Sequence, residues 1–217
     1  MDIYASIVGF FQSGGLFMYP IVVVLALGMA IAIERYVYLT LARSTNKRIW
    51  SKIMPLLAAG NYQQAIAVSA ESKSAISRIL GYGLSRMSSA RRRDDVEMAM
   101  QEGLMETVPR LEKRTHYIAT FANIATLLGL LGTIIGLIQA FTAVSTANAA
   151  DKADMLSASI SVAMNTTAFG LMVAIPLLLI YTVLQSKTTE LVDSLEMASV
   201  KFLNVLTEKS PIGGGAA

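Results

Sequence analysis

The chain has no cysteine, one histidine and one tryptophan. Disulfides, thiol nucleophiles and thiolate-bound metals are excluded at once. Charge is scarce too: only 15% of the 217 residues are Asp, Glu, Lys or Arg, against about 25% in an ordinary soluble domain. Where charge is missing matters more than how much. None falls between Leu16 and Ile33, between Tyr117 and Ala150, or between Met155 and Ser186. The lone His116 sits beside Lys113 and Arg114, with no partner acid or nucleophile and no ligands at metal spacing. The residues therefore predict no enzyme, no metal site and no cofactor.

What the chain has in plenty is apolar surface, at 54% hydrophobic residues. Three runs exceed the roughly 18 residues that a spanning helix needs. They are Leu16–Ile33, about Tyr117–Ala147 and about Met155–Leu184. The fold class predicted is an all-α membrane protein: three transmembrane helices with long cytoplasmic helical extensions, assembled as a ring-shaped homo-oligomer. Pro20 suits the first turn of span 1. Pro176, inside span 3, is expected to bend that helix or free a carbonyl.

Basic residues set the orientation. Most lie between Arg35 and Arg114, whereas "STANAADKAD" between spans 2 and 3 carries only Lys152 and the segment before span 1 carries none. The positive-inside bias places 35–115 in the cytoplasm, the N-terminus and the 148–154 loop outside, and the C-terminus inside. The expected division is an interfacial helix over 1–15, spans over 16–34, 116–147 and 155–185, a cytoplasmic domain over 35–115 and a cytoplasmic helix and tail over 186–217. Residues 1–15 open on Asp2 and lack a basic start, so they read as an amphipathic surface helix or a frayed end rather than a cleaved signal.

The cytoplasmic part reads as helical. "NYQQAIAVSAESKSAISRILGYGLSRM" has apolar residues every three or four positions. Asp94 and Asp95 mark a helix start. That helix is expected to run into span 2 with a bend near Pro109. Beyond span 3, Val192, Leu195, Met197, Val200 and Leu203 form an amphipathic stripe. Arg91–Arg93 is followed at once by Asp94, Asp95 and Glu97, which argues for a surface run and against nucleic-acid binding.

The uncharged spans are not without polarity. Span 2 holds Asn123, Thr126, Thr133, Gln139 and Thr142; span 3 holds Asn165, Thr166 and Thr167. Thr126 and Thr133 share a helix face. Each hydroxyl has a local option, bonding back to the carbonyl four residues earlier. Clusters on two spans point instead to a shared polar lining. Gly129, Gly132 and Gly136 in span 2, and Gly170 with Ala174 in span 3, allow close helix approach. With no acid at mid-depth, ion handling would need a titrating group from another chain.

These residues carry a resemblance. "LLGLLGTIIGLIQAF" (Leu127–Phe141), "ISVAMNTTAFGLMVAIP" (Ile160–Pro176) and "IERY" (Ile33–Tyr36) resemble the MotA/TolQ/ExbB proton-channel family. The three-span layout is similar to the ExbB and TolQ branch. The resemblance implies a homopentamer in the bacterial inner membrane around a single-span ExbD- or TolR-like partner, whose membrane Asp carries the proton. It implies a motor that spends proton-motive force on outer-membrane transport or envelope maintenance. Thr133 and Thr167 fall on the family's pore-lining threonines, with Thr166, Asn165 and Thr126 as further members of the path. Gly129, Gly132, Gly136, Gly170 and Pro176 are the packing positions, and Glu34 and Arg35 mark the cytoplasmic end of helix 1. Val162 departs from the glutamate that many ExbB and TolQ proteins carry there. A non-conducting scaffold and a sodium-driven stator are the rival readings.

Overall fold

Among the described residues the polar and apolar patterns resolve into helices alone, with no strand. In a computed structural model these are residues 14–87, 92–146, 148 and 150–209. The helices are α1 (Met18–Ala58), α2 (Tyr62–Glu71), α3 (Ala75–Met87), α4 (Arg93–Glu112), α5 (Thr115–Thr146) and α6 (Lys152–Lys209). The surface helix expected over 1–15 lies outside the described residues except for Gly14 and Gly15, and the Gly/Ala tail lies outside them entirely.

Three helices are long and apolar enough to cross a membrane: α1, α5 and α6. Only 22–28% of the most apolar stretch of each is buried within the chain. Leu127, Ile138, Phe141, Met164, Ile175 and Leu179 all point outward. Such faces are stable only against lipid or other apolar helices.

Several boundaries differ from the sequence reading. The helix does not bend near Pro109 and continue into span 2. Pro109 lies inside α4 on its exposed side, where water can take the carbonyl that its ring leaves unpaired. The break comes four residues later. Lys113 leaves the helical region, its N–H bonding Pro109 O at 3.0 Å, and Arg114 adopts φ +68°. Helix α1 runs on past Glu34 and Arg35 to Ala58, through Pro55, as one of the expected helical extensions. Helix α6 begins at Lys152, inside the expected loop, and passes Pro176 without a break. The single helical pattern over 61–87 is two helices, divided at Ser72–Ser74.

Contacts divide the chain into two units. The first is Met1–Glu34 with Arg114–Val183. Here glycines set the packing. A Cβ added at Gly170 would lie 2.7 Å from Ala125 O and 3.1 Å from Gly129 Cα. One at Gly136 would lie 2.8 Å from Ala163 Cβ, and one at Gly28 would lie 3.0 Å from Leu177 Cδ2. Helices α5 and α6 therefore touch backbone to backbone, which is how dispersion replaces the absent hydrophobic driving force in lipid.

The second unit is Arg35–Lys113 with Leu184–Ala217. Helix α4 buries Val96, Met100, Gly103, Thr107 and Leu111, a stripe at spacings of three and four. Helix α3 buries Ile76, Ile79, Leu80, Gly83 and Leu84. A Cβ at Gly103 would meet Ile79 Cα at 3.1 Å, so this glycine brings α4 against the α3 backbone. On α6 the buried stripe is Leu191, Leu195, Ala198, Phe202 and Leu206. This corrects the expected stripe: Leu195 and Leu203 are buried, but Met197 and Val200 are more than half exposed. The segment has more apolar residues than one helix face can bury. Complete burial of Phe202 or Leu80 contributes about 1.5–3 kcal/mol each.

Candidate functional site

The α5–α6 seam holds the hydroxyls singled out above. Gly129, Gly132 and Gly136 remove side chains from one wall, so the backbone of Thr167 and the side chains of Ala163 and Thr166 come into contact with α5. Thr133 and Thr167 are thereby brought together: their Oγ1 atoms are hydrogen-bonded to each other. Thr167 Oγ1 also donates to Gly129 O at 2.8 Å. Thr133 Oγ1 has Gly129 O at 3.3 Å and Ala163 O at 3.5 Å. Both threonines are half-buried, at the edge of the seam rather than in its centre.

Proton counting orients the pair. Each hydroxyl has one proton to donate and two lone pairs. With the Thr167 proton on Gly129 O, the Thr133 proton points to Thr167. The pair then offers lone pairs outward, which suit a donor such as water or a protonated carboxyl. Either threonine can donate to the other: when Thr167 donates to Thr133, the Thr133 proton is free to point outward, and the same pair can then donate to a carboxylate.

The other polar residues sit differently. Thr166 is buried, and its hydroxyl bonds Val162 O at 3.0 Å and also Gly14 O. A Cβ on Gly132 would collide with its methyl at 2.5 Å. Thr166 thus anchors the chain ahead of α1 and lies away from the half-buried edge where Thr133 and Thr167 meet. Thr126 is exposed and bonds back to Ala122 O at 3.2 Å, the local option open to any helical threonine. Asn165 is half-buried on α6. Pro176 is exposed, so it plays no part in the glycine contact. Val162 is at the surface of its helix, 36% exposed, and brings no charge to the seam.

Glu34 and Arg35 are neighbours in sequence with separate tasks. In the first unit Glu34 accepts from Arg114 Nη1 at 3.3 Å, holding the residue that adopts positive φ. In the second, Arg35 is 3% exposed and its guanidinium donates to Leu111 O, in the last turn of α4. It also stacks on the Tyr38 ring, 4.8 Å from the centroid. A cation at a helix C-terminus satisfies carbonyls that have no helical partner. Nothing in the sequence around "IERY" signals that Arg35 is buried.

Further down the same unit, Glu106 joins α3 to α4. Tyr82 donates to its carboxylate at 2.7 Å, Arg110 at 2.7 Å, and Arg78 approaches to 3.5 Å. The tyrosine hydrogen bond, with the two guanidinium groups, holds the carboxyl below its ordinary range. The same bond and the nearby negative charge push the Tyr82 hydroxyl up. Sequence reasoning passed over this cluster, since its members come from two turns on each of two helices.

A multi-pass helical membrane protein with a hydroxyl pair at a glycine-packed seam, and no Asp, Glu, Lys or Arg in its apolar runs, belongs to a narrow class. Residues 71–197 match the MotA/TolQ/ExbB proton channel family, and the chain belongs to that family, one of channel subunits rather than enzymes. The match includes all three glycines of α5, both seam threonines and Gly170. The chain is also similar to a putative biopolymer transport protein ExbB homolog of Methanothermobacter thermautotrophicus (strain Delta H). The two are 27% identical over 198 residues, covering 91% of this chain and 69% of the relative.

Proposed function

We propose that the chain is the proton-channel subunit of an inner-membrane motor of the ExbB/TolQ type, with the N-terminus periplasmic and the C-terminus cytoplasmic. Several copies, five by family resemblance, surround a single-span ExbD- or TolR-like partner whose membrane Asp binds the proton. The observation that carries this reading is the Thr133–Thr167 hydroxyl pair, half-buried at a seam between two runs, Tyr117–Ala150 and Met155–Ser186, that hold no Asp, Glu, Lys or Arg. The pair solvates the partner's carboxyl in both protonation states by redirecting its two hydroxyl protons. Each proton crossing 100 mV releases about 2.3 kcal/mol, so the work done on an envelope component requires several. Thr126 and Asn165 extend the polar path, and Thr166 positions α6 beside it.

The test is proton uptake by inverted vesicles holding the complex of this chain with its single-span partner. Thr133→Val with Thr167→Val should abolish uptake while the complex still purifies at its native mass. Undiminished energised function in the double variant would favour the non-conducting scaffold. That rival has one observation in its favour: each of Thr126, Thr133, Thr166 and Thr167 finds an acceptor within the chain. Uptake that follows a sodium gradient instead would make the protein a sodium-driven stator.

A further inference from the structure

A groove of about 690 Å³ runs along the second unit between the cytoplasmic part of α1 and α6. Lys47 and Trp50 line one wall, Met197 and Lys201 the other, and Ile76 and Leu195 the rest. Positions 43, 46, 47 and 50 of α1 face positions 190, 193, 194 and 197 of α6. That is the i, i+3, i+4, i+7 spacing with which two helices receive a third. The groove is not balanced in charge. Arg43 is paired with Glu190 at 3.1 Å, which leaves Lys47 and Lys201 against the single acid Asp193. Asn46, 5% exposed, uses Oδ1 to accept from Ile76 N–H, while its Nδ2 donor has no partner among the described residues. A buried donor left in that state is unfavourable.

The same unit carries a surface of the opposite character. Opposite the buried stripe of α4 run Asp94, Met98, Glu102, Met105 and Glu112, all exposed. Met98 and Met105 are 66% and 75% exposed. None of the three acids forms an ion pair among the described residues, and no basic side chain interrupts the stripe. At 1.5 Å per residue, Met98 and Met105 stand about 10 Å apart, as do Arg43 and Trp50 along the groove wall. A flexible, apolar methionine face edged with carboxylates suits a cleft with an indole, a methionine and unpaired lysines.

We infer that the α4 stripe of one copy seats in the α1–α6 groove of the next, with Met98 and Met105 against Trp50 and Met197 and Glu102 beside Lys47 or Lys201. The contact is head-to-tail, since the two surfaces differ, and repeated by rotation it closes a ring. This rests on the oligomer assumed in the proposed function and names the surfaces that would build its cytoplasmic part.

The absence of native cysteine gives a clean test. Two differently tagged full-length variants, Met98→Cys and Lys47→Cys, are co-expressed with the partner and oxidised in membranes. A disulfide needs Cα atoms within about 7 Å, so a mixed-tag dimer is expected from the pair. Neither variant alone should dimerise. Lys201→Cys replaces Lys47→Cys if the latter does not accumulate. Native mass of each uncrosslinked complex is measured in parallel. Absence of the mixed dimer in a complex of oligomeric mass overturns the inference and leaves the proposed function standing. A monomeric mass defeats both. Dimers from Met98→Cys alone would mean a symmetric contact, and a groove shielded from maleimide only when the single-span protein is present would mean a different occupant; either result overturns the inference.

Discussion

Thr167 donates its hydroxyl proton across the seam to Gly129 O at 2.8 Å, onto a carbonyl that the Thr133 hydroxyl also approaches at 3.3 Å. One backbone oxygen therefore organises both threonines, and their shared geometry depends on how closely α5 and α6 pack. The hydroxyl, not the methyl, is the group that matters at position 167. Thr167→Ser should retain most proton uptake, and Thr167→Val should lose it by at least tenfold, measured with a pH-sensitive dye in vesicles. Equal activity in the two variants would remove the hydroxyl from the mechanism.

Gly170→Ala should destabilise the protein by about 1–3 kcal/mol, the usual cost of overpacking. Its new methyl would face Ala125 O at 2.7 Å and Gly129 Cα at 3.1 Å, both backbone atoms. Relief requires the helices to separate, which also pulls Thr167 from Gly129. Gly81→Ala is the control, as its nearest obstacle is the Ser69 hydroxyl at 3.3 Å. Thermal unfolding of the detergent-solubilised protein should place Gly170→Ala well below both the control and wild type.

Arg35→Met should lower stability by about 1.5–3 kcal/mol, the worth of a hydrogen bond to a charged group. The methionine fills the buried volume but leaves Leu111 O without its donor. Arg35→Lys should recover only part of the loss, because a lysine lacks the planar fork and the stacking on Tyr38. Denaturant unfolding followed by Trp50 fluorescence reports on the same unit.

Glu106 gives the protein an acid limb. Its folded carboxyl is held below the ordinary value of 4.5 by the Tyr82 hydrogen bond first, then by Arg110 and Arg78. A depressed carboxyl contributes stability that is present above the unfolded value and lost as pH falls through the folded one. Glu106→Gln should flatten the fall in melting temperature on acidification below 4.5. Tyr82→Phe, which removes the largest cause of the depression, should also reduce that fall. An unchanged profile in both variants would show that the cluster does not set acid stability.

Much of this was legible in the residues. The three spans follow from runs of apolar side chains, whose transfer free energies add locally whatever the chain does elsewhere. The missing membrane carboxylate is an inventory, and so is the excess of lysine and arginine on one side. The threonine and glycine motifs were visible too, but as sets without roles. Thr166 and Thr167 are adjacent and chemically identical, and adjacent helical positions differ by about 100°. Only the rotation of α6 about its own axis decides that Thr166 is buried against Gly132 and Gly14 O while Thr167 meets Thr133. The outward turn of Met197 has the same origin, because more apolar residues compete than one face can bury.

Composition and spacing alone thus determined a helical membrane protein with three spans, a charged helical part, and hydroxyls where a carboxylate would otherwise be sought. Tertiary structure decided which hydroxyls meet, that Arg35 serves a helix terminus 76 residues away, and that the helix breaks at Lys113–Arg114 rather than at Pro109. The reason is one of range. Membrane partition and helix formation sum over neighbours in sequence, whereas a shared hydrogen bond, a capped carbonyl or a backbone-to-backbone contact depends on positions that only packing brings together.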